Sequence, residues 1–328
     1  MMKMSVMILL IASVLTLTLG ATPWSLIEQG ILHRLQGLSS EWNPLLDERL
    51  PRLIILLSTG AALATSGAIL QSLFHNPLAS PSILGISSGG SLGVILVFIF
   101  SLHLYHPLLL PMAAFIGCLI ILGLVYGLAR LQGGAPLQNL ILTGIAVSSL
   151  LVALQSFLLY TLRDNWQLIQ TVTEWEAGSS IDRGWEHVHL QLPLILVGLT
   201  GCWLYRHEMN VLALGEEEAK NLGVNVEQVR WRLFICVALL VGGALAGLGM
   251  IAFFGLIIPH LVRRLQGNNN SFLIPACMVI GATVLTALDV ILRLFNLQDL
   301  SLGNICALAG GLFFIFLLFR KQRQLAYS

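Results

Sequence analysis

The chain has 328 residues, 56% apolar and only 10% charged, with a mean hydropathy of +0.86. Soluble domains carry roughly 25% charged residues, so this composition excludes an ordinary soluble fold and indicates one polytopic membrane domain over residues 1–328. A formal net charge of +1 gives no imbalance that points to nucleic acid. The five cysteines (Cys118, Cys202, Cys236, Cys277, Cys306) lack C-x-x-C spacing. They read as buried free thiols, with no zinc site or disulfide framework.

A helix needs about 20 mostly apolar residues to cross the hydrocarbon core. Runs at 4–20, 53–74, 82–102, 107–129, 137–162, 190–206, 271–295 and 302–319 meet or approach that length. The first, behind Lys3, imitates a signal peptide, but residues 18–22 (TLGAT) offer a poor cleavage site, which predicts a retained first helix. A further run, 231–265, is too long for one crossing and short for two.

With the N-terminus inside, the inner segments hold Lys3, Arg130, Arg206, Lys220, Arg230, Arg232, Arg263, Arg264, Arg320, Lys321 and Arg323. The outer segments hold Arg34, Arg49, Arg52, Arg163, Arg183 and Arg293. Eleven basic residues against six obey the positive-inside rule. Arg230 and Arg232 before the long run, and Arg263 and Arg264 at its end, place both ends inside. The run therefore goes out and returns, turning near Gly247–Gly249. The expected fold is all-α, with about ten transmembrane helices and both termini inside.

Taken in chain order, the first notable residues are Arg49 and Arg52, which flank Pro51 ahead of the second helix on the outer side. Outer arginines suit capture of carboxylates, because the planar guanidinium pairs bidentately; snorkelling to the interface is the plain alternative. Residues 62–77 (ALATSGAILQSLFHNP) and 244–259 (ALAGLGMIAFFGLIIP) share six identities in sixteen at an offset of 182. They belong to the second and seventh helices, an odd separation that turns the second copy over. An inverted repeat with interrupted helices is a mark of transport folds; chance similarity of glycine-rich helices is the alternative. His75 and Asn76 beside Pro77, and His260 after Pro259, lie at helix breaks. No third ligand stands at a metal-binding spacing, so no metal site is expected.

The 163–190 loop carries Trp166, Trp175 and Trp185 with Glu174, Glu176, Asp182, Arg163 and Arg183. It reads as an interfacial aromatic belt, or as a surface for an external partner or passing substrate. Residues 207–229 form the longest inner polar stretch. Gly215 followed by Glu216, Glu217 and Glu218 marks a helix start, and Lys220 with Gly223 its end. This segment is either a docking surface for a cytoplasmic partner or a solvated connection. Asp289 precedes Arg293 at i,i+4 spacing, which predicts a local pair. The three lysines (Lys3, Lys220, Lys321) lie outside any G-x-x-x-x-G-K-[ST] loop. No catalytic constellation is present, and the few acids within spans argue against a proton relay.

Residues 49–93 (RLPRLIILLSTGAALATSGAILQSLFHNPLASPSILGISSGGSLG) resemble the signature of the FecCD-type permeases, the membrane subunits of iron-chelate and vitamin B12 ABC importers. The ordered run R-L-P-R, G-A-A-L-A-x-S-G, Q-x-x-x-x-N-P-L-A-x-P and L-G-x-x-x-G carries the match. Residues 212–223 (LALGEEEAKNLG) look like the family's cytoplasmic coupling helices, and 253–264 (FFGLIIPHLVRR) resemble its F-x-G-L-x-x-P-H-x-x-R stretch. The W-x-x-G-S pattern survives as Trp175, Gly178 and Ser179. Glu174 and Glu176, however, replace usually apolar neighbours, a departure that bears on substrate identity.

The resemblance implies a type II ABC importer fold, with repeats of about 1–165 and 190–328. It implies a permease dimer, formed with an identical or closely related subunit in the bacterial cytoplasmic membrane. Two separate ATPase subunits lie beneath it, and a periplasmic or lipid-anchored substrate-binding protein docks above. By the same resemblance Arg49, Arg52 and Arg293 receive acidic residues of the binding protein. Leu212, Leu214, Gly215, Glu216, Glu217, Glu218, Ala219, Leu222 and Gly223 meet the ATPase. Asn76, Pro77, Gly85, Gly89, Gly90, Pro259 and His260 supply broken backbone near the path. The chain is then a transport subunit and not an enzyme, with no resident cofactor, working by alternating access. A ferric siderophore or haem is the expected cargo and cobalamin the alternative. An ion-coupled secondary transporter, a membrane enzyme and a non-transporting receptor or assembly subunit are the rival classes.

Overall fold

The computed structural model describes residues 2–20, 22–37, 42–82, 84–106, 109–131, 137–181, 183–297 and 300–326, without the side chains of 137–138, 314 and 316–326. Asp182 and the side chains of Arg320, Lys321 and Arg323 thus lie outside the described residues. The helices are α1 (Met2–Thr18), α2 (Trp24–Leu35), α3 (Leu50–Leu73), α4 (Ile86–Ile99), α5 (Leu109–Leu131), α6 (Leu137–Thr161) and α7 (Trp166–Ala177). They continue as α8 (Trp185–Leu204), α9 (Arg206–Leu212), α10 (Glu216–Asn221), α11 (Val226–Leu248), α12 (Phe254–Gln266), α13 (Asn270–Leu294) and α14 (Leu302–Ala326).

Each of the ten expected spans falls on a helix: α1, α3–α6, α8 and α11–α14. Six helices among the described residues are long and apolar enough to cross a membrane, whereas α1, α4 and the described apolar part of α14 are shorter. The return predicted within 231–265 is present: α11 stops at Leu248, Gly249 turns the chain at φ 80°, and α12 starts at Phe254. Hydropathy did not foresee α2 and α7. Both are short helices with little net apolarity, outside the expected spans.

The centre of the bundle is α3, buried along nearly all its length, with α11 beside it. A helix apolar on every side must be surrounded by others, and small residues let those neighbours approach. A Cβ on Gly60 would overlap the Gly281 carbonyl of α13, and one on Gly67 the Gly255 carbonyl of α12. Where no hydrophobic force distinguishes protein from lipid, such close packing and interhelical hydrogen bonds hold the helices together. Gln191 of α8 supplies the polar part: its amide donates to the Ser58 hydroxyl (2.5 Å) and its carbonyl accepts from Thr59 (3.4 Å). The outer faces of α5, α6 and α8 expose Ile120, Leu150, Phe157 and Val197, as lipid-facing surfaces do.

The helices α3–α6 and α11–α14 pack across one another in matching order. Helix α3 lies along α13 as α11 lies along α5, and α3 meets α12 as α11 meets α4. The short helices α4 and α12 both follow a left-handed residue, Gly85 at φ 76° and Phe253 at φ 60°. The sixteen-residue alignment at an offset of 182, however, does not superpose local structure. Gly67 sits inside α3 while Gly249 ends α11, and Pro77 lies beyond α3 while Pro259 lies within α12. In the fold the glycine-rich stretches pack against each other, Gly67 on Gly255, where small residues let the helices approach.

Candidate functional site

Two polar regions lie at opposite ends of the bundle, here termed outer and inner after the orientation that the basic residues predict. At the outer end, Arg49 ends a wide helical turn, Pro44–Arg49, that leads into α3. Arg49 and Arg52, expected on the outer side to receive a partner's carboxylates, are enclosed by the chain itself: Arg49 is 4% and Arg52 7% exposed. Arg49 donates to the carbonyls of Leu17 (3.0 Å) and Thr18 (3.3 Å) at the end of α1. Half-buried Arg293 donates to the Thr16 (3.1 Å) and Leu19 carbonyls of the same terminus. A helix C-terminus presents unpaired carbonyls and a negative partial charge, and both guanidinium groups cap it.

Arg52 grips Asp289 with two hydrogen bonds, Nη2 to Oδ1 at 2.6 Å and Nε to Oδ2 at 3.2 Å. Ser180 donates its hydroxyl to the same Oδ1 at 2.6 Å. The local Asp289–Arg293 pair expected from i,i+4 spacing is therefore replaced by one that joins α3, α13 and the α7–α8 connection. The reason is burial: Asp289 is 1% exposed and takes the partner that reaches the core, while Arg293 turns towards α1.

Next to this cluster opens a cleft of about 810 Å³, whose wall includes Glu174, Trp175, Ser179, Arg183 and Asn304. It thus brings Glu174, Trp175 and Arg183 of the 163–190 motif together with the start of α14. Glu176 points elsewhere, accepting a hydrogen bond from the fully buried Ser91 of α4 at 2.8 Å. Trp185 is spent on packing, its indole N–H bonded to the Leu46 carbonyl at 2.8 Å.

At the inner end the polar stretch forms α9 and α10. Gly215 precedes the acids at φ 125° and Gly223 follows at φ 83°, so both ends use a backbone conformation that favours glycine. Glu216 is paired with Arg230, while Glu217, Glu218, Leu214 and Leu222 are exposed. Leu212 and Ala219 are buried and anchor the segment. Anchoring is also polar: the His75 ring nitrogen Nε2 lies 3.2 Å from the Leu212 carbonyl, and the Asn210 side-chain oxygen accepts from the Asn270 backbone N–H at 2.7 Å. His75 holds a left-handed conformation (φ 47°) where α3 has ended. The inner polar segment is thereby tied to the end of α3 and the start of α13.

The residues expected near a path divide in two. Gly89 and Gly90 are buried where α4 crosses α5, with Gly117, Ile121 and Cys118 against them. Gly85 turns into α4 beside Ser148 of α6. Pro259 is buried within α12, and His260 meets the Phe313 ring edge-on at 6.0 Å. Asn76 and Pro77 instead border an inner pocket of about 340 Å³ with His75, Arg263 and Asn270. Among the described residues no group of three or more His, Cys, Asp or Glu side chains could hold a metal.

Residues 7–320 match the model of the FecCD transport family. The hemin transport system permease protein HmuU of Yersinia pestis is 40% identical over 86% of this chain and 85% of its own length. The vitamin B12 import system permease protein BtuC of Vibrio vulnificus is 36% identical over 96% and 92%. The Fe(3+)-citrate import system permease protein YfmE of Bacillus subtilis is 33% identical over 97% and 94%. A solved ABC transporter of metal-chelate type, in an inward-facing conformation, superposes with a TM-score of 0.82 at 31% identity over 97% of this chain and 98% of that one.

Proposed function

The chain belongs to the FecCD transport family, and on that premise we propose that it passes an iron chelate, a ferric siderophore or haem, through the bacterial cytoplasmic membrane. It is a multi-pass permease and a transport subunit, and in the systems of its relatives ATP is hydrolysed by a separate chain. The observation that carries the choice of cargo is the 40% identity to the hemin permease, sustained over 86% of the chain. A second reading, cobalamin, is favoured by the vitamin B12 permease that matches 96% of the chain at 36% identity.

In this proposal two copies of the chain, or this chain and a close relative, enclose the path, with both termini in the cytoplasm. Two ATPase subunits bind Leu214, Glu217, Glu218 and Leu222, the exposed part of the coupling segment. Their movement enters the bundle through Leu212, Ala219, His75 and Asn210. A binding protein docks at the outer end. Arg293, only half enclosed, is the docking arginine best placed to offer a hydrogen bond to an incoming carboxylate, with Arg49 and Arg52 holding the surface beneath it. The substrate then passes the outer cleft, where Trp175 offers an aromatic face and Glu174, Ser179 and Arg183 offer polar ones.

Uptake by proteoliposomes containing the complete complex tests the cargo. The proposal expects ATP-dependent entry of haem or a ferric siderophore that excess cobalamin does not suppress. Uptake of cobalamin alone would replace it with the second reading.

A further inference from the structure

The inner pocket bordered by the end of α3, α12 and the start of α13 contains a charge that the transport account leaves unused. Arg263 is largely enclosed, and among the described residues no carboxylate pairs with it. Its guanidinium is held by neutral acceptors only. Nη2 donates to the Ala68 carbonyl at 2.7 Å and the Ser72 hydroxyl at 2.6 Å, and Nε donates to the Gln71 side-chain oxygen at 3.3 Å. An enclosed cation without a counter-charge is expensive, and among the described residues no acid lines the pocket.

The hydrogen bonds then fix the orientation of a second group. Ser72 accepts from Arg263, so its own proton is free to go to the Asn270 side-chain oxygen, 2.7 Å away. The Asn270 carbonyl is thereby committed, and its NH₂ must point the other way. Asn270 is 1% exposed, and among the described residues that nitrogen has no partner. A buried donor left unmade costs about 1–3 kcal/mol, so an acceptor is missing. Asn76, on the same pocket, uses its side-chain oxygen on the Leu78 amide at 2.9 Å. Its amide nitrogen is a further donor. Asn270 is also the first residue of α13, a helix of 25 residues whose N-terminus adds positive partial charge.

We propose that the pocket formed by Arg263, Asn270 and Asn76 binds a phosphate group at the inner face of the permease. A pocket of about 340 Å³, lined by one cation and the asparagines Asn76, Asn268 and Asn270 and, among the described residues, by no acid, suits a compact anion with several acceptor oxygens. The phosphate comes either from a free cytoplasmic ion or from an anionic lipid headgroup. Because Ala213 of the coupling segment borders the same pocket, its occupant lies against the connection through which the ATPase acts.

The test uses the full-length permease in nanodiscs made of phosphatidylcholine alone or with phosphatidylglycerol. Radiolabelled inorganic phosphate reports the free ion, and native mass spectrometry of retained phosphatidylglycerol reports the headgroup. The variants are Asn270→Asp, which puts a carboxylate where the donor was, and Arg263→Lys, which keeps the charge but loses the fork. The proposal expects binding in one of the two arms, weakened roughly tenfold or more by either variant, the scale of losing a charge-assisted hydrogen bond. Binding of phosphate in pure phosphatidylcholine identifies the free ion; selective retention of phosphatidylglycerol identifies the headgroup. Wild-type protein that holds neither overturns the proposal even if a variant fails to fold, and so does binding that both folded variants retain in full.

Discussion

The two ends of the bundle treat charge in opposite ways. At the outer end Arg49 and Arg52 are buried, and Arg52, Asp289 and Ser180 close a network in which every partner lies within the subunit. At the inner end Glu217, Glu218 and Lys220 are exposed on a segment whose apolar side chains Leu212 and Ala219 face inward. The buried outer arginines Arg49 and Arg52 therefore hold the fold together, whereas the exposed inner acids Glu217 and Glu218 are the ones our proposal assigns to the ATPase. A charged residue facing a partner in sequence order can still be a structural residue, and burial decides between the two.

The contrast can be broken most severely at Asp289. Asp289→Ala leaves Arg52 buried without its counter-ion, and removal of one member of a buried pair costs about 3–5 kcal/mol. The expected result is a large drop in folded, monodisperse protein and in thermal midpoint; an unchanged midpoint means the outer network is not structural. Gly67→Ala comes next, because its Cβ meets the Gly255 backbone, which cannot move aside. Overpacking of this kind costs about 1–3 kcal/mol, read as a lower midpoint, and an unchanged one would show that α3 and α12 have room to separate. Ser180→Ala removes one of three hydrogen bonds to Asp289 and should cost about 1.5–3 kcal/mol, the value for a bond to a charged group. Smallest in stability is Glu217→Lys with Glu218→Lys, within about 0.5 kcal/mol of wild type as surface changes are. Its effect should appear instead as lost ATPase association, measured by co-purification. Normal association would dissolve the distinction between the two ends.

Hydropathy and basic-residue asymmetry made the spans legible, including the return at Gly249, because both signals are local in sequence. The start and end of α10 were legible for the same reason: glycines and a run of acids mark a helix between Gly215 and Gly223. The Arg52–Asp289 pair was not, since its members are 237 positions apart and the nearer Arg293 satisfied the spacing rule. The burial of Arg49 was equally hidden, because it depends on α1 ending beside it. Nor could the alignment of Gly67 with Gly249 reveal that Gly67 packs on Gly255. Small residues repeat wherever helices touch, so their sequence likeness reports contact as readily as descent.

The central claim is that this permease moves its cargo only when a separate ATPase drives it. Proteoliposomes carrying the permease with and without its ATPase, supplied with loaded binding protein and radioactive iron chelate, test this most directly. The account predicts accumulation that requires both the ATPase and ATP, and none on an ion gradient alone. Accumulation by the permease by itself on such a gradient would contradict it.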